Sequence, residues 1–525
     1  MRKLKKRIPI LLLIFVLEAG SQVCFADSTT PDISSIKTYT QIPGVTNAEK
    51  NAIEALKSFR KSFSFGSVPS TEAFILDNGK YAGFSTLLCE LLSGLFGIPF
   101  VQEFYSWDEL KSQLDSGVVD FTGELTPTPE RRKTYFMTHP IAERSLGVFI
   151  SEFSVKKIEE ESDLEGLRIG FYEETITADS IRKAYPNLNF IELYLPDARE
   201  VARALEERTI DAFIFETVES YTFADYPFIR FREMLPMVYT PVSIATRKSE
   251  LEPVISVVNK YVEAGGIDKL YELYRMGNVE YAKYAFKMIL NDEERAYLSN
   301  MAASGKKVPI ALEGDNYPIS FYNNKERQFQ GIAPDSLAEI GKLTGLEFEA
   351  VTGRNTLWVE IMEKLRTGEI SLVSELQYTE ERSGNFLFSD PYFSAHYALL
   401  SKINYPKLEM FQVIRTKVGV MRGTAHVELY HMWFPDNNNL VLYNSSEGDG
   451  IRALETGEID LYMASENLLL ALRNYMEKPD FKANIIFSSP LLESLFGFNK
   501  NEELLHRLSV KPNVTLVPLK LEKNG

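Results

Sequence analysis

The chain has 525 residues and a mass of 59.8 kDa, and at roughly 100–200 residues per domain this length predicts two to four domains. It contains 57 Lys and Arg against 73 Asp and Glu, so its net charge is −16, which disfavours a broad nucleic-acid surface because phosphate binding needs clustered cations. The only cysteines are Cys24 and Cys89, which excludes a disulfide-dense scaffold and a four-cysteine zinc site.

Residues 1–26 have the pattern of a secretory signal peptide. Residues 2–7 include five cations, residues 8–17 form a short apolar run, and small residues lead up to Ala26. The run is shorter than the ~20 apolar residues that span a bilayer, so we expect cleavage after Ala26, with an uncleaved membrane anchor as the alternative. Cleavage would leave 52 cations against 72 anions, a net charge of −20, and would place the chain in the periplasm or the extracellular space.

From residue 61 the chain is predicted to alternate between strands and helices. Apolar residues after Ser85 recur with a helical period, which makes Ser85 the predicted N-cap, and Gly117 is expected to close the next helix. The predicted elements are, in chain order, a strand at 63–68, helix 85–96, strand 100–104, helix 107–114, and strands at 118–121, 167–171, 190–194 and 211–215. Such alternation indicates a mostly parallel sheet covered by helices, divided between two α/β lobes.

Residues 276–305 are interpreted as a helical linker. The segment is rich in Tyr, Lys, Glu and Ala, and Asn291 followed by three acids has the form of an N-cap and first helical turn. We expect the linker to end near Gly305. In the alternative, residues 281–290 complete the preceding domain.

The same motifs occur twice, about 250 residues apart, and this repeat is the most informative feature of the sequence. Arg131 recurs as Arg382 at a spacing of 251 residues. The other repeated positions are Gly83 and Gly331, Thr128 and Thr379, Pro140 and Pro391, and Asp211 and Asp460. Because the register holds over the whole unit, we predict two related domains, at 61–275 and 306–525.

The second predicted domain has an atypical C-terminal end. Residues 495–505 have the pattern of a return strand and the start of a closing helix, but Pro512 and Pro518 cannot continue that helix. We therefore expect a shortened or frame-altered end, with a signalling portion lost or never present.

The order of these motifs resembles the family 3 extracellular solute-binding proteins, the Venus-flytrap clamps that capture polar amino acids. The resemblance covers about residues 61–275 and 306–500. It implies an α/β fold of two tandem periplasmic-binding-protein-like domains, each with two lobes that close on a ligand about a hinge. The tandem arrangement is similar to the periplasmic part of bacterial sensor kinases.

The resemblance also implies a ligand site in the first domain. Arg131 matches the family's carboxylate-clamping arginine, whose guanidinium offers a bidentate fork. Thr126 and Thr175 match hydroxyl residues that help to hold the same group. Glu216 matches the acid that pairs with a ligand ammonium, and Phe74 lies near the aromatic residue that covers the ligand.

In the second domain the resemblance implies a modified site. The matched positions are Tyr317, Phe321, Gln377, Arg382, Thr424 and Ser465. Ser465 stands where the first domain has Glu216, so the ammonium partner is absent unless Glu466 turns inward. Two alternatives follow, namely a different and less cationic ligand, or a scaffold that binds nothing.

The sequence thus predicts an exported binding protein for small polar, amino-acid-like solutes, and not an enzyme. No cofactor or metal is expected, since the five histidines lack a His-Glu-x-x-His spacing. A membrane transporter or a signalling protein is the expected partner, and two fused clamps favour signal input over uptake. The competing class is a dehydratase-like enzyme on the same fold, with a catalytic acid near Glu124 or Glu216.

Overall fold

The computed structural model describes residues 36–511, except residues 174, 233, 236, 237, 444–446 and 477. The predicted signal peptide, Pro512 and Pro518 therefore lie outside the described residues. The described chain forms two compact units. Unit 1 consists of residues 36–74 and 81–275, and unit 2 of residues 75–80 and 276–511.

Unit 1 is organised around a ten-stranded sheet that its two lobes share. The strands up to residue 275 are β1 (Phe63–Ser67), β2 (Phe74–Ile75), β3 (Tyr81–Ala82), β4 (Phe100–Phe104), β5 (Phe121–Leu125), β6 (Phe136–Met137), β7 (Ala142–Ser151), β8 (Arg168–Tyr172), β9 (Ile191–Leu195), β10 (Ala212–Glu216), β11 (Ile229–Arg232) and β12 (Tyr239–Thr246). The sheet runs in the order β4-β1-β5-β12-β7-β10-β8-β9, with β6 beside β12 and β11 beside β7.

Two long antiparallel strands connect the lobes of unit 1. Lobe 1 contains the parallel strands β4, β1 and β5, and lobe 2 contains the parallel strands β9, β8 and β10. Strands β7 and β12 pair with each other through residues 142–145 and 239–242. Beyond that pairing, β7 continues along β10 in lobe 2 and β12 continues along β5 in lobe 1. Strands β7 and β12 are therefore the hinge strands of this unit.

Helices cover the sheet and then lead out of unit 1. They are α1 (Asn47–Phe59), α2 (Phe84–Phe96), α3 (Trp107–Asp115), α4 (Thr177–Ala184), α5 (Ala198–Glu206), α6 (Ser220–Phe223), α7 (Glu252–Tyr261), α8 (Ile267–Met288) and α9 (Asp292–Ser304). Both predicted helices, and the predicted strands other than that at 118–121, lie within about two residues of the observed elements.

Two of the local predictions in unit 1 are wrong. Helix α2 is capped by Gly83 at φ +97° instead of Ser85, because a Cβ at position 83 would lie 2.4 Å from the Glu72 carbonyl oxygen. The strand predicted at 118–121 begins only at Phe121, because the backbone N–H groups of residues 118 and 119 donate to the Gln113 carbonyl oxygen and close helix α3.

The segment interpreted as a linker is helical apart from residues 289–291. Helix α8 starts at Ile267 and runs past residue 276 without a break, so the segment has no separate beginning. The predicted N-cap at Asn291 is confirmed. Its side chain accepts from the Glu294 backbone N–H at 2.9 Å, and the Glu294 carboxylate accepts from the Asn291 backbone N–H at 2.9 Å.

Unit 2 repeats the two-lobe plan with two five-stranded sheets and a small third sheet. Its strands are β13 (Val308–Ala311), β14 (Asp315–Asn316), β15 (Ser320–Asn323), β16 (Gln328–Gln330), β17 (Phe348–Ala350), β18 (Leu372–Val373), β19 (Phe386–Phe388), β20 (Phe393–Lys402), β21 (Val418–Met421), β22 (Leu440–Tyr443), β23 (Leu461–Ser465), β24 (Phe481–Ser494) and β25 (Gly497–Asn499). Lobe 1 has the order β17-β13-β18-β25-β19, lobe 2 has β22-β21-β23-β20-β24, and β14-β15-β16 form the third sheet.

The helices of unit 2 flank these sheets. They are α10 (Ile332–Thr344), α11 (Trp358–Thr367), α12 (Glu380–Ser383), α13 (Ala425–Trp433), α14 (Glu447–Thr456), α15 (Asn467–Leu470) and α16 (Glu503–Ser509). Strand β25 and helix α16 confirm the return strand and closing helix predicted at 495–505.

The internal repeat extends to the hinge strands. Strand β20 begins and ends 251 residues after β7, and β23 begins and ends 249 residues after β10. The pairing also matches, since Leu146 lies opposite Glu216 in unit 1 and Tyr397 lies opposite Ser465 in unit 2. Position 144 of unit 1 thus corresponds to position 395 of unit 2, at the same place on the hinge strand.

The lobes are held together by apolar packing. In lobe 1 of unit 1, Phe63, Phe65 and Phe121 are almost fully buried. Cys89 belongs to the same core, and burial raises the pKa of its thiol to about 12, with a smaller contribution from Glu90. Within the described ranges, no helix combines the length and the apolar character needed to cross a membrane.

Candidate ligand-binding clefts

The cleft of unit 1 is lined by the carboxyl ends of its parallel strands. Glu124 is the next-to-last residue of β5 in lobe 1, and Glu216 is the last residue of β10 in lobe 2. Glu72 follows β1, and Arg144 lies on the hinge strand β7. Ligands of open α/β sheets bind outside the carboxyl ends of the strands, so these four residues occupy the expected location of a ligand.

Arg144 forms ion pairs with all three carboxylates. Its guanidinium donates to Glu72 at 2.6 Å, to Glu124 at 2.8 Å and to Glu216 at 2.8 Å. The Tyr274 hydroxyl donates to Glu72 at 2.9 Å. All four charged side chains are buried, so solvent screens these interactions only weakly. Residues from both lobes of unit 1 therefore converge on a cation that the chain itself supplies.

The electrostatics of this cluster follow from its burial and its excess of acid. Burial by itself would lower the pKa of Arg144, but the carboxylates of Glu72, Glu124 and Glu216 outweigh it and hold that pKa well above the usual value. Burial raises the pKa of Glu216, and Arg144 only partly offsets the effect. Arg144 is thus a fixed positive charge in the cleft.

The structure places Arg131 in contact with Thr126, the two residues of lobe 1 that the resemblance assigns to a ligand carboxylate. The Arg131 guanidinium donates to the Thr126 carbonyl oxygen at 3.3 Å, and the Thr128 hydroxyl accepts from the Arg131 backbone N–H at 3.2 Å. Among the described residues Arg131 has no carboxylate within ion-pair distance, and burial lowers its pKa. Arg131, whose role as a carboxylate clamp stays a prediction, is therefore a partly buried cation without a carboxylate partner in the described part of the chain.

The other predicted residues of unit 1 have partners within the protein. Glu216, the predicted partner of a ligand ammonium, binds Arg144 instead. The Thr175 hydroxyl donates to the Tyr172 carbonyl oxygen at 2.9 Å, and Phe74 is fully buried. Sequence reasoning missed Arg144 and its contacts, although aligning the two repeats would have shown an arginine in one unit and an alanine in the other.

Unit 2 encloses a cavity of about 60 Å³ between its lobes, with a wider depression of about 630 Å³ beside it. The cavity has room for roughly four water-sized groups. Of the residues predicted for this domain, those that line it are Tyr317, Gln377, Arg382, Thr424 and Ser465. Phe321 does not line it and packs its ring against that of Tyr317 with the centroids 5.1 Å apart.

Arg382 connects the two sides of this cavity. Its guanidinium donates to the Gln377 carbonyl oxygen at 3.0 Å in lobe 1 and to the Gly423 carbonyl oxygen at 2.8 Å in lobe 2. The Thr379 hydroxyl accepts from its backbone N–H at 3.3 Å, as Thr128 does for Arg131. Burial lowers the pKa of Arg382, and in the described part of the chain no carboxylate lies within ion-pair distance of it.

The cavity also contains a buried carboxylate that the sequence did not indicate. Glu375 accepts from the Ser494 hydroxyl at 2.9 Å and from the Asn316 side-chain amide. Burial raises its pKa, although these two hydrogen bonds and one from the Gln377 side chain oppose the shift. Within the described residues, Glu375 has no cationic side chain within ion-pair distance, in contrast to its counterpart Glu124.

Two further polar atoms in the cavity lining lack partners. The Gln377 side-chain oxygen and His426 Nε2 are buried and form no hydrogen bond with the described residues. Burial, reinforced by Arg382, lowers the pKa of His426 to about 4, so its imidazole is neutral at neutral pH. Buried polar groups are normally hydrogen-bonded, so these two atoms are available to a polar molecule that enters the cavity.

Glu466 does not supply the missing acid of unit 2. Its carboxylate accepts from the backbone N–H of His396 at 3.0 Å and lies 2.7 Å from Nδ1 of the same residue on hinge strand β20. Glu466 is absent from the residues that line the cavity. In the described ranges, no group of three or more His, Cys, Asp or Glu residues is arranged to hold a metal ion.

The comparisons with known proteins agree with this architecture. Residues 65–277 and 308–509 each match the bacterial extracellular solute-binding proteins, family 3. A virulence sensor protein, BvgS of Bordetella pertussis, is 22% identical over 353 residues, which is 65% of this chain but only 27% of that sensor's length. A probable histidine-binding protein of Campylobacter jejuni is 25% identical over 236 residues, 43% of this chain and 88% of that protein.

A solved structure described as "Structure of VC protein" has the same fold over nearly the full length. It covers 87% of this chain and 98% of its own, with 16% identity and a TM-score of 0.58. The predicted fold, two tandem periplasmic-binding-protein-like domains of two α/β lobes each, is confirmed. The two matched regions cover most of the sequence, and the chain belongs to the bacterial extracellular solute-binding proteins, family 3.

Proposed function

We propose that this chain binds a small polar, amino-acid-like solute in the cavity of unit 2, outside the cytoplasm, as the input of a signalling system. The observation that carries the proposal is Arg382, a half-buried guanidinium that lines the cavity and has no carboxylate partner among the described residues. A ligand carboxylate would complete its hydrogen bonds and neutralise its charge.

The surroundings of Arg382 support a ligand that is held from both lobes. The guanidinium already reaches Gly423 across the cleft, and Thr424 begins helix α13, whose first backbone N–H groups favour an anion. Closure of the lobes on a ligand would add contacts to the same arginine from either side. This is the hinge movement that a two-lobed clamp can convert into a signal.

One relative supports a role in sensing, and another supports the binding of an amino acid. The similarity to a virulence sensor protein spans both units, and one relative is described as a probable histidine-binding protein. The similarity to the sensor covers about a quarter of that protein's length, so the signalling partner is part of the proposal. Binding without turnover also fits Glu124 and Glu216, the candidate catalytic acids, because both are already engaged in ion pairs with Arg144.

The proposal can be tested by thermal denaturation of the full chain with each of the twenty standard L-amino acids. A ligand that binds only the folded state stabilises it by about 2.7 kcal/mol at a ligand concentration of one hundred times its Kd. This stabilisation raises the midpoint temperature. We expect at least one amino acid to raise the midpoint of the wild-type chain. Arg382→Ala should remove that increase, and Arg382→Lys should weaken it because lysine lacks the planar fork.

The matched control is Arg366→Ala, which removes an exposed arginine of the same unit that pairs with Glu363 at 2.6 Å. This variant should respond to the ligand as the wild type does. If no amino acid shifts the midpoint, or if Arg382→Ala responds like the wild type, the proposal is wrong.

A further inference from the structure

The two clefts differ at one position of the hinge strand. In unit 1 this position is Arg144, whose guanidinium lies 2.8 Å from Glu124. In unit 2 the corresponding residue is Ala395, and the acid is retained as Glu375. Both Ala395 and Glu375 line the cavity of unit 2. Strand β7 therefore places a cation in the cleft of unit 1, whereas the corresponding strand β20 leaves space in front of the acid of unit 2.

Glu375 is held in place with capacity to accept further hydrogen bonds. One of its oxygens accepts from the Ser494 hydroxyl, and the other accepts from the Asn316 amide. Asn316 is itself fixed, since its amide also donates to Glu313 at 2.9 Å. Each carboxylate oxygen has two lone pairs, and a hydrogen bond from the Gln377 side chain takes up one more of the four, so the carboxylate can still accept a donor from a molecule in the cavity.

The ionised form of an acid buried in this manner is costly without a cation, which is why burial raises the pKa of Glu375, and a cation in the cavity would favour that ionised form. Glu375 is only 7% exposed, and no cationic side chain of the described residues is within ion-pair distance. In unit 1 the equivalent acid receives its cation from the protein. Ser465 replaces Glu216 in unit 2, whereas Glu375 keeps the position of Glu124, 251 residues later, in a cavity that Glu313 and Asp315 also line.

We infer that the solute of unit 2 carries a cationic nitrogen, which binds Glu375 in the space that the Arg144 guanidinium occupies against Glu124 in unit 1. The inference rests on the proposed function and specifies the ligand class, a zwitterion whose carboxylate binds Arg382 and whose ammonium binds Glu375. Unit 1, by the same comparison, already holds its cation. The specificity for a cation thus comes from the end of β18 and not from the position of Ser465 at the end of β23.

The inference is tested by comparing an amino acid with its 2-hydroxy acid, such as L-alanine with L-lactate, by calorimetry on the full chain. The pair chosen is the amino acid with the largest thermal shift and its hydroxy analogue, which share a carboxylate and differ in the ammonium. We expect the hydroxy acid to bind the wild type about tenfold or more weakly. In Glu375→Gln the amino acid should lose most of this advantage.

Three further variants locate the effect. Ala395→Arg should abolish amino-acid binding by placing a guanidinium where the ligand cation belongs, whereas Ala395→Ser, which adds a single oxygen, should retain binding. Asp315→Asn changes another acid that lines the cavity and should keep the preference for the amino acid. Loss of the preference in Asp315→Asn but not in Glu375→Gln would overturn the inference.

The failure of the inference differs from the failure of the proposed function. Equal binding of the amino acid and its hydroxy analogue, with both abolished by Arg382→Ala, overturns the cation site and leaves the proposed function standing. Absence of binding by the amino acids overturns the proposed function and the inference together.

Discussion

At the scale of single residues, this protein uses the arginines of its clefts in two ways. Arg131 and Arg382 are half-buried and held alike, each donating to the carbonyl oxygen five residues earlier, and neither has a carboxylate partner among the described residues. Arg144 instead is buried and surrounded by three carboxylates. The first arrangement favours an incoming anion, because each cation is partly desolvated without a counter-charge, and the second stabilises the protein by itself.

Removal of Arg144 should therefore destabilise the chain strongly. Arg144→Ala leaves three buried carboxylates facing one another, and we expect the free energy of unfolding to fall by about 3–5 kcal/mol. Urea denaturation measures this change. The control is Arg203→Ala, which breaks an exposed pair with Glu200 and should cost less than about 1 kcal/mol. Equal losses for the two variants would contradict a structural role for the cluster.

Glu219 should make the stability depend on pH. Burial raises its pKa from 4.5 to about 7, although hydrogen bonds from Tyr172 and Thr222 oppose the shift; Glu216 raises it further and Arg144 lowers it. The folded chain keeps this proton where the unfolded chain has released it. The contribution is therefore favourable at low pH and is lost as the pH rises from about 4.5 to about 7, by up to about 3 kcal/mol.

Glu219→Gln is the corresponding test. The amide cannot ionise, so this variant should lose less stability than the wild type between about pH 5 and about pH 8. Urea denaturation at the two pH values provides the comparison. An unchanged difference between them would show that Glu219 does not retain its proton in the folded state.

At the scale of elements, the turns before helices α2 and α10 position residues of the clefts. Gly83 and Gly331 have φ angles of +97° and +126°, and a Cβ at either position would lie 2.4 Å or 2.6 Å from a backbone carbonyl oxygen. In unit 2 that oxygen belongs to Pro318 or Ile319, in the segment that borders the cavity. Glycine is thus required at this turn for both its conformation and its size.

Gly331→Ala should destabilise unit 2 more than Gly345→Ala does. Both glycines have positive φ, but Gly345 has no atom within 4 Å of the Cβ position, so its variant carries the conformational cost alone. We expect Gly331→Ala to lose about 2 kcal/mol or more beyond the control. Urea denaturation with both variants measures the difference, and equal losses would argue against the close contact.

The elements show what sequence patterns can predict. The strands and helices of unit 1 and the cap at Asn291 depend on short-range periodicity and motifs, and most of these predictions agree with the structure. The ligand-binding roles of Arg131 and Thr126 stay predictions, although the two residues are in contact. The Arg144 cluster depends on segments that are 72 residues apart in sequence, which no local pattern reveals. The assignment of Ser85 as a cap failed because tertiary contact at Gly83 determines where α2 begins.

At the scale of the whole molecule, one fold is used twice with different charges in the two clefts. Unit 1 contains an acidic cluster with an arginine at its centre, and unit 2 contains a cavity with an unpaired arginine and a buried acid. The sequence predicted the repeat, and the clamp roles of Arg131 and Arg382 stay predictions. The sequence did not show that one cleft contains the Arg144 cluster, because that depends on side chains from several elements meeting at one place.

The central claim is tested most directly by the stoichiometry of binding. Calorimetric titration of the full chain with the amino acid selected by thermal denaturation should show one molecule bound per chain, and Arg382→Ala should bind none. Arg131→Ala distinguishes the units, because a second binding event lost in that variant would assign a ligand to unit 1. Binding of two molecules per wild-type chain, or binding that persists in Arg382→Ala, would contradict the account.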